Sequence, residues 1–561
     1  MITKVTTQAF KRFASQTFPL EPVTLLAGPN NSGKTTLLQA IMVWNLALQR
    51  WSQKKGPESK SKASERPGVP ITRQEFNALP LPSMDQLWTD THTSLRKDEV
   101  AGQKPGAPRL IVITLEGKSS EGTEWKLGFE FRYQGPEQIY IRPVAEHLPH
   151  VELAKREVRV IYVPPFSGSG VQETRYDVAY QDMLVGQGKG GEILRNLLWE
   201  VHQRGVPEWN ALQEIIRTTF HYRLLEPKYT GAPYITCEYV QDGVSKQEQV
   251  PLDIAAAGSG FRQVLLVLAF LFARPSSLIL LDEPDAHLHV HLQDQLYKTL
   301  VALCRKNQGQ LVIATHSEVL IDKTDPQRIL SFYGEPHALS NHSERNQVRE
   351  ALKRVTSLEL LLARNARGVL YLEGDSDFSL LQAWAEVLEH PLREWFRKPF
   401  WHNIHGSSPR EAREHFFALK AVCPEIRAVL LLDGDNRDRK EEALGEGIQV
   451  LRWERYEAES YLLHPESLSR FLASEKLPLF GRQALQEFRD QMPPAFFKNP
   501  LEAIPFLRSE PASKTLLPGL LESAGVDLPK REYSAIAVQM LPAEIPQEVV
   551  DKLDAIHEVV G

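Results

Sequence analysis

A glycine-rich stretch near the N-terminus has the residue types and spacing for holding a nucleotide phosphate chain. The segment "GPNNSGKT" fits the pattern G-x-x-x-x-G-K-[ST] and lies between an apolar run and a helical pattern. Glycines let backbone N–H groups wrap phosphates, and a helix N-terminus adds partial positive charge. We expect Lys34 to reach the β- and γ-phosphates and the Thr35 hydroxyl to ligate Mg²⁺. The predicted ATP-binding residues of this loop are Gly28, Asn30, Asn31, Gly33, Lys34, Thr35 and Thr36.

A second group of polar residues stands at the ends of two apolar segments. Asp282 and Glu283 follow "LILL", and His316 follows "QLVIAT". Parallel α/β sheets place their ligands at the carboxyl ends of such buried strands. Ser259 and Gly260 open a third apolar segment, which reads as a buried helix. Phosphoryl transfer needs charge neutralisation and a positioned water, and these side chains could supply both.

A third group is acidic and lies in the last third of the chain. Two apolar runs, "GVLYL" and "AVLLL", are each followed by carboxylates, and a further pair of glutamates follows "LRWERY". Clustered hard oxygens of one sign are costly unless they hold Mg²⁺ or Mn²⁺. Two such ions suit in-line attack on a phosphodiester. The alternative is a tight turn at "DGD" beside a solvated acidic face, since Asp-Gly favours hairpins.

The elements that must position these residues can be read from the pattern of apolar residues. Residues 1–27 read as two or three short strands, 109–163 as further strands, and 175–220 as helices. Residues 51–68 are rich in Lys, Ser, Gly and Pro and predict a surface loop. Its lysines are either DNA contacts or part of a solvated insertion, and they are Lys54, Lys55, Lys60 and Lys62.

Composition bounds the class of protein. A chain of 561 residues allows two or three domains, and 42% hydrophobic and 24% charged residues are ordinary for a globular protein. A net charge of −6 excludes a globally basic nucleic-acid binder but leaves room for a local basic groove. Three dispersed cysteines, no signal-peptide pattern and no long apolar run predict a cytoplasmic protein without a membrane partner.

The first two groups, in their order and spacing, resemble the ABC-type ATPase heads, and "GPNNSGKTTLL" is very similar to the opening of the RecF/SMC-like branch. The resemblance implies that Asp282 helps to hold Mg²⁺, Glu283 orients the attacking water and His316 senses the γ-phosphate. Ser259 and Gly260 would complete the site of an opposing subunit. The signature "AGSGFRQ" lacks the leucine and glutamine of the commonest version, which implies slow or partner-dependent turnover. A candidate for the Q-loop is Gln86 in "MDQLW".

The acidic group resembles the TOPRIM fold of topoisomerases, primases and certain nucleases. An ABC-type head followed by a TOPRIM domain resembles the OLD (overcoming lysogenization defect) family of ATP-dependent nucleases. That resemblance implies a downstream lysine that stabilises the transition state, either Lys514 or Lys530, with Lys514 assigned as catalytic. The metal ligands that it implies are Glu373, Asp377, Asp433, Asp435, Glu457 and Glu459.

The predicted fold class is therefore α/β, with a mixed sheet and flanking helices in the head. The ATPase domain would span 1–345 with an insertion at about 51–105. A helical connector would cover 346–366, and a TOPRIM-like domain with a C-terminal helical part would cover 367–561.

The predicted function is an ATP-gated nuclease of anti-phage or plasmid defence that uses ATP and Mg²⁺, or Mn²⁺ at the acidic site. Its partners would be nucleic acid, with DNA favoured over RNA, a second copy paired through the heads, and a separate defence protein. Two alternatives remain: an ATPase sensor or scaffold that controls a TOPRIM effector acting on RNA, and a RecF/SMC-like repair ATPase.

Overall fold

A computed structural model describes most of the chain: residues 1–55, 68–76, 79–95, 106–168, 170, 172–229, 233–243, 250–274, 276–404, 409–420, 423–436, 447–474 and 478–561. The chain divides into two compact units, Met1–Leu352 and Lys353–Gly561. Much of the predicted insertion at about 51–105, including Lys60 and Lys62, lies outside the described residues. Both units combine helices with sheets, so the α/β class is confirmed.

The N-terminal unit begins with three strands before the glycine-rich loop, where two or three were expected. Its strands are β1 (Ile2–Phe10), β2 (Phe13–Pro19), β3 (Val23–Ala27), β4 (Val69–Thr72), β5 (Ile111–Lys118), β6 (Glu124–Gly135), β7 (Gln138–Pro143), β8 (Val160–Val163), β9 (Tyr222–Leu224), β10 (Glu238–Gln241), β11 (Leu252–Asp253), β12 (Leu278–Asp282), β13 (Gln310–Thr315), β14 (Ile329–Ser331) and β15 (His337–Ala338). Its helices are α1 (Lys34–Lys55), α2 (Val151–Glu157), α3 (Val178–Gly186), α4 (Leu194–Arg204), α5 (Val206–Phe220), α6 (Ser259–Ala273), α7 (Val290–Lys306) and α8 (Glu318–Lys323), and α9 (His342–Arg354) crosses the boundary between the units.

A sheet with the order β15-β14-β3-β13-β12-β8 positions the chemistry of this unit. The strands from β14 to β8 are parallel, and β3, β12 and β13 are buried along their whole lengths. Parallel strands covered on both faces read as continuous apolar runs, as these do in the sequence. Asp282 pairs with Ala314, and Thr315 pairs with Ala27, so the carboxyl ends of the three strands meet at one edge.

Helix α1 fills the space between this sheet and an antiparallel sheet with the order β2-β1-β5-β6-β7-β4. Leu37, Ile41 and Trp44 are fully buried in a core shared with both sheets. The indole N–H of Trp44 donates to the carbonyl oxygen of Leu127 at 2.8 Å. This packing fixes the helix whose first turn carries Lys34 and Thr35.

A buried carboxyl group makes the stability of this unit pH-dependent. Glu173 is 2% exposed and accepts from the backbone N–H groups of Arg195 and Asn196, while no described residue donates a hydrogen bond to its Oε1. Burial raises the pKa of Glu173 from 4.5 to about 7. The folded chain therefore binds this proton more tightly than the unfolded chain, and stability falls as the pH rises between these two pKa values.

We expect Glu173→Gln to remove about 3 kcal/mol of that pH dependence from the free energy of unfolding. Urea unfolding of both proteins at about pH 5 and about pH 8 measures it. An unchanged pH dependence in the variant would mean that the charged carboxylate is accommodated at no cost.

The C-terminal unit is built on four parallel strands in the order β17-β16-β18-β19. They are β16 (Gly368–Leu372), β17 (Trp401–Asn403), β18 (Arg427–Leu432) and β19 (Ile448–Arg452). The helices are α10 (Ser357–Asn365), α11 (Asp375–Val387), α12 (Pro409–Lys420), α13 (Pro465–Ser474), α14 (Pro478–Gln491), α15 (Pro494–Lys498), α16 (Pro505–Ser509), α17 (Leu517–Ala524), α18 (Ser534–Ala537) and α19 (Gln547–Val560). The helices α9 and α10 occupy most of the predicted connector, 346–366.

Alternate side chains of the central strands face opposite sides of this sheet. Leu370, Leu372, Val429 and Leu431 belong to one core with α11, α13, α17 and α19. Tyr371 points to the other side, where its hydroxyl contacts His415 of α12. Among the described helices of both units, none combines the length and apolar character that a membrane span needs.

Candidate functional sites

The glycine-rich loop between β3 and α1 has the backbone of a phosphate-binding turn. Asn31 and Gly33 have φ values of +58° and +112°. A Cβ atom at Gly33 would lie 2.8 Å from the ring of Phe13, so both backbone conformation and space require glycine there. Lys34 Nζ donates to the carbonyl oxygens of Gly28 at 2.7 Å and Pro29 at 2.8 Å. Phosphate oxygens can replace these carbonyl oxygens at the ammonium group.

Lys34 is the one cationic side chain of the glycine-rich loop, residues 28–36. Its side chain is buried, and burial lowers its pKa to about 8, against the raising effect of Glu283 and Asp282. Its Nζ lies 3.4 Å from His316 Nε2. The cation therefore stands among the residues predicted from the strand ends. Asn30 and Asn31 are exposed on the loop, and Thr36 lies in the first turn of α1.

Asp282 and Thr35 form the part of the pocket that fits a divalent cation. The Thr35 hydroxyl donates to Asp282 Oδ1 at 3.2 Å, and the Tyr162 hydroxyl donates to Oδ2 at 3.2 Å. Burial raises the pKa of Asp282 to about 6. A hard cation beside the two oxygens would favour the charged carboxylate, so this donor set fits Mg²⁺.

Glu283 and His316 face each other at the edge of the sheet. His316 Nε2 lies 2.8 Å from Glu283 Oε1, and this contact lowers the pKa of Glu283. Glu283 has a φ of +51°, and its backbone N–H donates to Ala314 at 2.9 Å. Residues other than glycine rarely adopt a positive φ, so the surrounding structure must hold Glu283 in this conformation. Such strained residues are often found at functional sites.

Sequence analysis missed three residues that support this pocket. Tyr162 holds Asp282 as described, and Arg12 donates to the carbonyl oxygen of Asn31. Gln263 Nε2 donates to the carbonyl oxygen of Pro284 at 2.8 Å. Gln263 lies one helical turn after Ser259 in "SGFRQ", and that spacing was the available signal. Nothing in the local sequence singles out Tyr162 or Arg12.

Ser259 and Gly260 do not share the hydrogen bonds that connect the other predicted residues of this pocket in the described chain. They form the first turn of α6, and Ser259 is exposed. No hydrogen bond between described residues joins either of them to the glycine-rich loop. Gln86 is exposed in the turn Met84–Leu87.

The carboxylates of the C-terminal unit gather at the carboxyl edge of its sheet. Glu373 and Asp433 follow the neighbouring strands β16 and β18, and the backbone N–H of Asp433 donates to Glu373 Oε1 at 2.9 Å. Asp377, in the first turn of α11, accepts from the backbone N–H of Gly374 at 3.0 Å. Asp435 is exposed two residues beyond Asp433.

Glu457 and Glu459 extend this acidic cluster from the loop after β19. Both are buried, and Glu459 is 0% exposed. Glu457 accepts from the backbone N–H and, at 2.9 Å, from the hydroxyl of Ser513. The intervening backbone N–H of Ala458 donates to Asp433 Oδ1 at 3.3 Å. The alternative of a solvated acidic face is therefore wrong for this pair.

The hairpin alternative for "DGD" is also wrong. The strand β18 pairs in parallel with both β16 and β19, whereas a hairpin joins antiparallel strands. A Cβ atom at Gly434 would lie 2.1 Å from the carbonyl oxygen of Arg455, so only glycine fits between the two aspartates.

Repulsion within the acidic cluster shows in its pKa values. Burial, reinforced by neighbouring carboxylates, raises the pKa of Asp433 to about 9 and that of Asp377 to about 7. Burial also raises the pKa values of Glu373 and Glu457. Among the described residues, no three of these carboxylates bring ligand oxygens within 4.8 Å of one another. Charged carboxylates repel one another unless cations neutralise them. A cluster of carboxylate oxygens is the ligand type that Mg²⁺ and Mn²⁺ prefer.

Of the two candidate lysines, the structure places Lys530 in the acidic cluster. Lys530 Nζ lies 3.0 Å from Glu459 Oε1 and 3.8 Å from Glu457 Oε2. Burial lowers the pKa of Lys530, but the carboxylates outweigh it and the net shift is upward. Lys514 is exposed on the irregular turn Ala512–Leu516. Its neighbour Ser513 reaches Glu457, whereas the Lys514 side chain is exposed, so the geometry favours Lys530 over the Lys514 of the sequence-based prediction.

Two family models match stretches of the N-terminal unit. One, described as "AAA domain, putative AbiEii toxin, Type IV TA system", matches residues 194–322. The other, described as "AAA domain", matches residues 4–76. The first stretch holds Asp282, Glu283 and His316, and the second holds Lys34 and Thr35. The N-terminal unit therefore contains a P-loop ATPase domain, and the prediction of an ATP-binding head is confirmed at that level. No curated relative matches the sequence.

Several solved structures are similar to part of the chain. The SMC head domain from Thermotoga maritima has 14% identity and a TM-score of 0.31, and the match covers 59% of this chain and 94% of that one. An SMC head bound to the C-terminal winged-helix domain of ScpA has 15% identity, a TM-score of 0.35 and coverage of 62% and 99%. A coiled-coil-extended SMC head from Pyrococcus furiosus, bound to the C-terminal domain of ScpA, has 15% identity, a TM-score of 0.32 and coverage of 59% and 92%. Likenesses of this size assign no activity.

Proposed function

We propose that this protein is an ATP-gated, metal-dependent nuclease of the OLD type, whose C-terminal unit carries a TOPRIM-like active site. The buried acidic cluster is the observation that carries the proposal. Several carboxylates with raised pKa values converge on Asp433. Lys530 contacts Glu459, and Arg452 donates to the carbonyl oxygen of Asp433 and, against the larger effect of burial, lowers the pKa of Glu373. Burying several carboxylates away from water costs free energy, and bound divalent cations offset that cost.

The residues of the acidic cluster divide the work of phosphodiester hydrolysis. Bound Mg²⁺ or Mn²⁺ would supply charge neutralisation at the attacking and leaving oxygens. Glu373 and Asp433, held by strand ends and by the N–H contact between them, provide a rigid base for cation binding. Lys530, anchored by Glu459 and by the Ser513 hydroxyl at 3.3 Å, places a positive charge beside the substrate phosphate.

In this proposal ATP controls the nuclease because the nucleotide site of one chain needs Ser259 from a second chain. Ser259 is exposed at the start of α6 and is not bonded to the loop of its own chain in the described structure. In a head-to-head homodimer this helix N-terminus would face the γ-phosphate bound by the partner's loop. Pairing would then depend on ATP and change the geometry of the nuclease units. The site of action is the bacterial cytoplasm, in defence against phage or plasmids, with DNA favoured as the substrate.

The test is a cleavage assay with the purified full-length protein. Supercoiled DNA and tRNA are each incubated with Mn²⁺ or Mg²⁺, with and without ATP. We expect DNA to be cut only with a divalent cation, at a rate that ATP changes. Cleavage of tRNA alone would redirect the proposal to RNA, and no cleavage of either under all conditions would contradict it.

A second candidate is an ATPase sensor or scaffold of a defence system, in which the C-terminal unit binds or controls a separate effector. The family models over residues 4–76 and 194–322 support it, because both describe an AAA domain and this candidate needs only the ATPase activity. This candidate predicts that defence survives loss of the acidic cluster. The third alternative, a RecF/SMC-like repair ATPase, has less support. A clamp of that type would carry a long coiled-coil arm, whereas the longest described helix is α1, which is buried in the core of the N-terminal unit.

A further inference from the structure

A second cluster of ligand-type side chains lies in the C-terminal unit, on the sheet face occupied by Tyr371. Glu359 of α10, His402 of β17 and His415 of α12 each offer one ligand atom, and these atoms all lie within 4.8 Å of one another. Within the described residues, this is the one group of three such side chains that is so compact. None of the three belongs to the acidic cluster or to the nucleotide pocket.

The distances in this histidine–glutamate cluster are those of a metal-ligand shell. Glu359 Oε1 lies 3.0 Å from His402 Nδ1 and 3.2 Å from His415 Nε2. Tetrahedral Zn²⁺ with ligand bonds of about 2.0–2.1 Å separates its donor atoms by about 3.3 Å. The glutamate oxygen therefore already stands nearly as far from each imidazole nitrogen as one edge of that tetrahedron, and the two nitrogens lie within 4.8 Å of each other.

One donor atom is buried without a well-formed hydrogen bond. His415 is 2% exposed, and its Nε2 lies 3.2 Å from Glu359 Oε1 but forms no hydrogen bond of normal geometry to any described residue. Buried polar atoms are usually satisfied, so a buried imidazole nitrogen without a well-formed hydrogen bond, within 4.8 Å of two other ligand atoms, is available to bind an ion. An electron-pair acceptor at the centre of the cluster would satisfy this nitrogen.

The outer contacts orient the ligands as in metalloproteins. Glu359 uses its second oxygen, Oε2, to accept from the backbone N–H and the hydroxyl of Thr356, both at 2.8 Å. The Tyr371 hydroxyl lies 2.9 Å from His415 Nδ1, so it can accept from that nitrogen when Nε2 binds a metal. Such second contacts fix the tautomer and direction of first ligands.

The two imidazole rings are stacked at 3.9 Å with an interplanar angle of 16°. Near-parallel rings cannot both direct a lone pair at one ion, so one ring must turn on binding. His402, with 24% of its side chain exposed, has the freedom to do so, whereas His415 is packed in the interior. A rotation of the His402 ring out of the stacked arrangement would complete the shell.

We propose that Glu359, His402 and His415 form a binding site for one Zn²⁺-class ion, separate from the nuclease metals. Two imidazoles and one carboxylate suit Zn²⁺ better than Mg²⁺, which prefers oxygen ligands only. Water would take the fourth position. The ion would fasten α10, β17 and α12 together on one face of the sheet, and so stabilise this unit.

The experiment is a titration of metal-depleted full-length protein with Co²⁺, followed by Zn²⁺. Four-coordinate Co²⁺ absorbs visible light strongly, whereas Co²⁺ held by six oxygen ligands absorbs weakly, so the acidic cluster does not mask the signal. We expect strong absorption that saturates at one ion per chain and is bleached by one equivalent of Zn²⁺. His402→Gln should weaken Co²⁺ binding by about a hundredfold or more.

Two matched variants serve as controls. Glu373→Gln alters the acidic cluster, and His390→Gln removes another buried histidine of this unit, which lies 3.0 Å from Asp554. Both should keep the Co²⁺ absorption. Circular dichroism checks folding, and the partial exposure of His402 makes its variant tolerable. No strong absorption in the wild type, or equal absorption in His402→Gln, would overturn the proposal.

Discussion

Asp433→Asn is expected to lower metal-dependent cleavage of nucleic acid by about a hundredfold or more, with ATP hydrolysis little changed. Asp433 is the carboxylate on which the acidic cluster converges, and Asp377, Glu373, Glu459 and Glu457 all raise its pKa. Asparagine keeps the shape but removes the negative charge that attracts a divalent cation. The measurement is the rate of Mn²⁺-dependent cleavage beside the rate of ATP hydrolysis, in one preparation.

Asp490→Asn is the matched control, because Asp490 is exposed on α14 of the same unit. It should cleave at the wild-type rate. Mn²⁺ binding, followed by calorimetry, gives a readout that does not depend on finding the right substrate. If Asp433→Asn binds Mn²⁺ and cleaves like the wild type, the acidic cluster is not an active site. If it loses ATP hydrolysis completely, the two sites are not chemically separate.

Lys34→Ala is expected to abolish ATP binding, and Glu283→Gln to retain ATP while hydrolysis stops. Lys34 is the buried cation of the loop, and its loss leaves the phosphates without a side-chain cation there. Glu283 instead faces His316 at 2.8 Å, where a carboxylate can orient water against the γ-phosphate. Glutamine keeps the contact but cannot take up a proton from the water.

Nucleotide binding, steady-state hydrolysis and solution mass together test this second prediction. Trapped ATP should convert Glu283→Gln to a dimer, because Ser259 then completes the partner's site. Lys298→Ala, on an exposed lysine of α7, is the control and should behave as the wild type. Equal hydrolysis by the wild type and Glu283→Gln would remove Glu283 from its role, and a monomer with trapped ATP would argue for a site complete within one chain.

Local sequence was enough for the residues that lie on one continuous stretch or at the end of one apolar run. The glycine-rich loop needs Gly33 and Lys34 at a set spacing, because consecutive backbone groups make the site. Asp282, Glu373 and Asp433 were found because a buried parallel strand reads as an apolar run and its ligands follow it. The convergence of Glu373 and Asp433 was also expected from the sequence, since neighbouring parallel strands end at one edge of a sheet.

Only the tertiary structure decided which distant side chains join those edges. Lys530 rather than Lys514 reaches the carboxylates, because the turn at Ser513 directs Lys514 outward while Lys530 returns to the sheet edge. Burial settled the nature of Glu457 and Glu459, which in the sequence look like any exposed pair. The cluster of Glu359, His402 and His415 left no motif at all, because a helix, a strand and a second helix each contribute one residue. The residue types in the sequence determined which chemistry was available. The packing of helices on the sheets determined which of these groups meet, because contacts between distant segments have no fixed spacing along the chain.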